Sequence, residues 1–154
     1  LEAARLQAGL ATPDWLLTDA KGLLASACDY ASAVDGAPGI VYTLDWHRQP
    51  VVRERLHWTH AEASAAAQAL LKRTGAPHYE TWYRRFWEFC ETHFIDRLHG
   101  SWHHELDPHN QPGSKIWGGK PDLYHAWQAV LLPALPLAPS MASALGRGRY
   151  VTRW

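Results

Sequence analysis

Apolar positions along the chain fall into blocks with helical spacing, separated by stretches rich in turn residues. Leu1, Ala4, Leu6 and Leu10 read as the tail of an amphipathic helix that began upstream, because no cap or initiator methionine precedes them. Thr12-Pro13-Asp14 is a helix start: Thr12 as N-cap, Pro13 at the first helical position and Asp14 at the positive end. Trp15, Leu16, Ala20, Leu23, Leu24, Ala27 and Cys28 follow at the spacing of a core-facing stripe, which ends at Gly36, Pro38 and Gly39. The β-branched and aromatic run Ile40 to Leu44, a polar turn at Trp46 to Gln49, and Pro50-Val51-Val52 predict a small hairpin. An Ala-rich helix is predicted from about His57 to Thr74, stopped by Gly75-Ala76-Pro77. Another is predicted from Tyr79 to Phe94, with Tyr79, Trp82, Tyr83, Phe86, Trp87 and Cys90 on its apolar side. Gly100 to Leu106 reads as a short strand and Asp107 to Gly113 as dense turn chemistry. The last helix is expected from Pro121 to about Leu132, before Pro133, Pro136 and Pro139. Residues 1–145 form the domain and 146–154 a loose tail. Helices alternating with long loops argue for an all-α toroid or solenoid, and against a sandwich or a parallel α/β sheet.

Composition narrows the partners. The chain has 154 residues, enough for one domain with a real core and too few for two comfortable ones. Lys plus Arg equals Asp plus Glu at 15 each, without a long basic run, so no nucleic-acid surface is expected. No apolar stretch reaches the roughly 18 to 20 residues of a membrane span, and Leu1 to Leu10 lack the pattern of a secretory signal. Cys28 and Cys90 lie far apart within apolar helical patterns, which suggests buried free thiols in a reducing, cytoplasmic setting. The 9 Trp, 6 Tyr and 10 His are the departure from average, and they suit a cleft for a small polar ligand with apolar faces, such as a sugar. A large helical core that uses Trp is the competing reading.

Three stretches carry a resemblance: Gly39 to Trp46, His57 to Ala63, and Trp117-Gly118-Gly119-Lys120-Pro121-Asp122-Leu123-Tyr124-His125-Ala126-Trp127-Gln128. In order and spacing they resemble the isomerase branch of the N-acylglucosamine 2-epimerase superfamily, which holds mannose and sulfoquinovose isomerases. The similarity extends from Thr12 to Pro139. It implies an (α/α)6 barrel, six inner helices inside six outer ones, with a monosaccharide in the central funnel. It also implies that this chain is the C-terminal part of that barrel. The first catalytic histidine of the family would lie in a Gly-His-x-x-Glu-Trp motif just upstream of Leu1, which this sequence does not contain.

The implied reaction interconverts an aldose and its ketose through a cis-enediol, a proton transfer that suits histidines and requires no metal or other cofactor. The resemblance makes His125 the catalytic candidate. Its place in the first turn of the last helix is expected to disfavour imidazolium. Tyr124 and Gln128, four apart, share a face beside it, and Gln128 is expected to bond a sugar hydroxyl or orient the imidazole. Trp58 and Glu62 share a face of the Ala-rich helix, where a carboxylate needs a partner; Glu62 is expected to accept a sugar hydroxyl or orient the imidazole. His57 is a candidate polar lining residue, and Trp117 and Trp102 are expected to wall the pocket. Alternation lets only one of His104 and Glu105 face inward. His57-x-x-His60 with His103-His104 invites a metal reading, but no HExxH or paired-cysteine spacing supports it, so no metal is expected. The alternatives are 2-epimerisation of an N-acyl sugar, and an inert sugar-binding fragment. A homo-oligomer is compatible with the sequence.

Overall fold

In the computed structural model, which describes residues 2–148, local signals place most helices and a handful of long-range polar contacts fix how they meet. Helix α1 spans Glu2–Gln7, so Leu10 falls beyond it, and Leu1 lies outside the described residues. Helix α2 spans Asp14–Ala31 with extended Pro13 at its cap. Thr12 therefore does not cap it, its hydroxyl having no partner among the described residues, and Pro13 sits one position before the helix instead of within it. The stripe on α2 is only partly used: Leu24 and Cys28 are buried, whereas Trp15 and Leu23 face outward.

The hairpin forms from β1 (Thr43–Leu44) and β2 (Pro50–Val52), antiparallel and shorter than the apolar run. Asp45 Oδ1 closes its turn by accepting from the His47 and Gln49 N–H groups, each at 2.8 Å. Strand β3 (Arg55–Leu56) runs directly into α3 (His57–Thr74), the Ala-rich helix, which ends at Gly75 with φ 69. Helix α4 (Pro77–Phe89) takes Pro77 in its first turn and continues as a π-helical turn, Cys90–Phe94, so the expected single helix changes winding at its end. Of the expected Gly100–Leu106 strand only β4 (Glu105–Leu106) forms, flanked by β3 and by β5 (Pro112–Gly113) in a small antiparallel sheet. Helix α5 spans Tyr124–Ala134, three residues later than Pro121 suggested. A further helix, α6 (Met141–Gly146), follows the proline-rich stretch at the end of the expected domain, and most of the expected tail, residues 149–154, lies outside the described residues.

Helix α3 is the centre of the packing. Its small side chains let α4 approach on one side and α5 on another: Ala63 and Ala67 pack with Leu24, Ile40 and Phe86, while Ala61 packs with Phe89, Leu106 and Ala129. The 32–39 loop is tied down by fully buried Arg55, which donates to Asp35 at 2.8 and 2.6 Å. Burial opposes the charged form of Asp35, but the Arg55 guanidinium more than offsets it and holds the carboxyl at about 2. Trp102 belongs to this core, buried and stacked on Phe94 with ring centroids 6.2 Å apart, so it does not wall a pocket. Among the described residues no helix is long and apolar enough to cross a membrane. The described residues are mostly helical and form no closed barrel.

Candidate active site

The start of α3 and the first turns of α5 lie side by side because β4 anchors one and the following loop delivers the other. Leu56, the residue before α3, pairs with Glu105 in the sheet. The His104 carbonyl accepts from the His57 backbone N–H at 3.2 Å and lies 3.3 Å from His57 Nδ1. On α5, Asp122 Oδ1 accepts from the Tyr124 N–H at 2.9 Å, fixing the helix start.

This brings Glu62 and His125, 63 positions apart, into direct contact: His125 Nδ1 donates to Glu62 Oε1 at 2.8 Å. Gln128 Nε2 donates to both oxygens of the same carboxylate, at 3.1 and 3.3 Å. The carboxylate accepts from Nδ1–H, so of the two neutral tautomers the one with its lone pair on Nε2 fits this contact. The side chains of Glu62 and His125 are 41% and 28% exposed, so the pair opens to one side and is packed on the other.

Aromatic rings frame it. Trp58 lies 6.0 Å from the His125 ring centroid and takes the edge of Tyr42 at 6.1 Å; Tyr124 stands edge-on to His125 at 4.8 Å. His57 is only 2% exposed and sits between His104 at 5.0 Å and His125 at 5.9 Å. It is thus packed against its neighbouring imidazoles and does not line open space. Burial, opposed in part by the His104 carbonyl, pushes its ring down to about 4 and keeps it neutral at neutral pH. Half-exposed Trp117 stacks on His104, with centroids 5.6 Å apart and planes 21° apart. Of the two neighbours on the loop strand, His104 is the one that turns toward this cluster. Glu105 is buried and reaches the loop before α5 instead. Sequence reasoning missed what Glu105 holds, because the turn between residues 107 and 113 is what brings its partners back.

An apolar groove of about 460 Å³ between α2 and α3, lined in part by Leu23, Ala27 and Ile40, opens onto Trp58 and Glu62. A separate cleft of about 440 Å³, beside Gly39, Arg85 and His93, contains none of the candidate residues. His60, the other half of the suspected metal pair, is fully buried: its Nε2 accepts from the Ile40 N–H at 2.9 Å and its Nδ1 lies 3.0 Å from the Leu56 carbonyl. Both ring nitrogens are thus used within the fold. No cluster of three metal-ligating side chains occurs among the described residues.

The helices packed around α3, with a carboxylate-bound imidazole at the N-terminal end of α5, are a segment of an (α/α)6 barrel. More narrowly, the chain belongs to the N-acylglucosamine 2-epimerase family, whose model matches residues 1–129. It is 69% identical over 145 residues to a D-mannose isomerase of Pseudomonas cannabina pv. alisalensis, a match covering 94% of this chain and 35% of that protein. With a D-mannose isomerase of Thermobifida fusca the identity is 54% over 134 residues, 86% of this chain and 33% of that protein. The chain thus spans about a third of the length of the curated relatives it matches. Among solved structures, a D-mannose isomerase superposes with a TM-score of 0.71 at 28% identity, covering 79% of this chain and 31% of that one. A cellobiose 2-epimerase from Spirochaeta thermophila shares the fold, with a TM-score of 0.66 at 19% identity, over 84% of this chain and 33% of that one.

Proposed function

We propose that the protein carrying this chain is an aldose–ketose isomerase that converts mannose, or a mannose-like sugar, into a fructose-like ketose. The observation that carries the reading is the 2.8 Å bond between His125 and Glu62, with Trp58 beside the imidazole and Trp117 stacked on His104. The 69% and 54% identities to proteins named D-mannose isomerase support the substrate class.

In such a reaction a base removes the C2 proton of the open-chain aldose, giving an enediol, and the proton is delivered to C1; the O2 hydroxyl proton ends on O1. His125 takes and returns one of these two protons at Nε2. Glu62 holds the ring in that tautomer and stabilises the imidazolium formed on transfer, while Gln128 fixes the carboxylate. Trp58 and Trp117 offer flat faces to sugar C–H groups, and Tyr124 borders the imidazole. His57 backs the site as a neutral ring. Buried free Cys28 and Cys90, with the Cys28 thiol pushed up to about 11 chiefly by burial, support a reducing, cytoplasmic setting.

The test is incubation of mannose, sulfoquinovose and N-acetylglucosamine with this chain and with its full-length form, followed by product analysis. Ketose from mannose with the full-length form supports the reading. A C2 epimer as the main product, or no turnover of any of the three, rejects it.

A further inference from the structure

We propose that Glu105 is a positioning residue: by gripping three consecutive backbone N–H groups, it holds the Trp117 indole over His104, beside the His57 and His125 rings. The inference rests on the isomerase reading for what the site binds, but not for the clamp itself.

Glu105 is 1% exposed, yet its carboxylate lies among donors. Oε1 accepts from the Lys115 N–H at 2.7 Å, and Oε2 accepts from those of Ile116 and Trp117 at 2.7 and 2.9 Å. Three converging N–H groups need an acceptor with several lone pairs and no hydrogen of its own, which among side chains describes a carboxylate. Buried in the sheet, such a group is costly unless fully bonded, and a strand position whose only task was packing would take an apolar residue. The backbone of Glu105 is fixed on both sides, by Leu56 in β3 and by Gly113 in β5. Gly113 is itself part of the fit: a Cβ there would stand 3.2 Å from Glu105 Oε1 and from the Asp107 amide nitrogen.

The same loop is held at two further points. Lys115 Nζ donates to Glu54, 3% exposed, at 2.5 Å, and Lys120 Nζ pairs with Asp96 and donates to the Gly100 carbonyl at 2.9 Å. All three anchors fix the loop, while Trp117, half exposed, makes its ring contact on His104. Because Leu56 opposite Glu105 leads straight into His57, one two-residue strand sets both the start of α3 and the height of Trp117 above it. Glu105 acts on the sugar only through that indole.

The experiment is steady-state isomerisation of mannose by the full-length protein and its variants, with hydrogen exchange of the 115–117 amides. Glu105→Ala is expected to raise KM about tenfold with kcat within about threefold. Trp117→Ala should do the same, and the double variant should be no worse than Trp117→Ala alone, because the two residues work in series. Glu105→Gln keeps one acceptor and turns an NH2 toward the loop; it should give an intermediate KM, and it provides the comparison if Glu105→Ala does not fold. A lower thermal midpoint with wild-type KM in the folded Glu105 variants would overturn the proposal, as would Trp117→Ala with wild-type KM or effects that simply multiply. If the wild-type protein turns over no aldose, the isomerase reading fails by itself. The clamp is then decided by exchange: loss of protection at Lys115, Ile116 and Trp117 in a Glu105 variant supports it, and retained protection overturns it.

Discussion

At the scale of single residues, the proposed isomerisation turns on the bond from His125 Nδ1 to Glu62, which would leave Nε2 to move the proton. Replacing Glu62 by Gln keeps the shape but removes the charge that fixes the tautomer and balances an imidazolium. We expect kcat for mannose isomerisation to fall about 100-fold or more with KM within about threefold. A wild-type kcat in Glu62→Gln would make that carboxylate a bystander. Two other histidines link pH to stability. Burial is the main cause that holds His57 down to about 4 and His60 to about 3. Below about pH 6.5 the unfolded chain takes up protons at both positions while the folded chain does not, so stability is full above pH 6.5 and is lost as pH falls toward 4. For His57 the loss is on the order of 3 kcal/mol across that window. Depressed carboxylates add to the loss only at the acid end: the contribution of Asp35, held at about 2, is lost as pH falls below its unfolded value of 3.8. Urea midpoints at pH 7.5, 5.5 and 4.5 should decline steadily, and His60→Gln should flatten the decline despite lower stability at pH 7.5. A flat profile in the parent protein would contradict this.

At the scale of elements, the signals that could be read were local ones. Helix α3 runs from His57 to Thr74 as expected, because Gly75 with φ 69 stops it and the chain enters it from an extended Leu56. Helix α5 starts three residues after Pro121, since Asp122 bonds the Tyr124 amide and so sets the first turn further on. Thr12 failed as a cap because the hydroxyl points inward, and Trp102 went to the core because the π-helical turn offers it Phe94 to stack on. The Glu62–His125–Gln128 group was expected in outline from helix spacing and resemblance. The Glu105 clamp was not legible, since its partners are ten to twelve positions away across a turn. Gly39 shows how tightly the elements meet. At φ +95, a Cβ there would stand 2.5 Å from the Phe89 ring and 3.1 Å from His60 Nε2. Gly39→Ala should therefore cost roughly 2 to 3 kcal/mol of stability in urea unfolding, through strain and overpacking together. A change below 0.5 kcal/mol, a bound set by ordinary surface substitutions, would mean that the loop simply shifts.

At the scale of the whole molecule, the described helices leave apolar faces open. Leu23 is 74% exposed on α2, and Leu123 at the cap of α5 lines up with Trp127 and Val130 on it as an exposed stripe. Relatives about three times as long have further chain with which to cover such faces. The isolated chain should therefore bind 8-anilinonaphthalene-1-sulfonate and scatter light as species larger than its 17.4 kDa mass at micromolar concentration. A monodisperse monomer that does not bind the dye would show the faces to be self-sufficient.

The most direct measurement is the turnover of mannose by the full-length protein with His125 replaced by Asn, alongside circular dichroism and the thermal midpoint of the same preparation. An unchanged fold and a loss of at least about a thousandfold in kcat are expected, the scale of a lost acid–base group. Turnover within tenfold of wild type in a folded His125→Asn protein would contradict it.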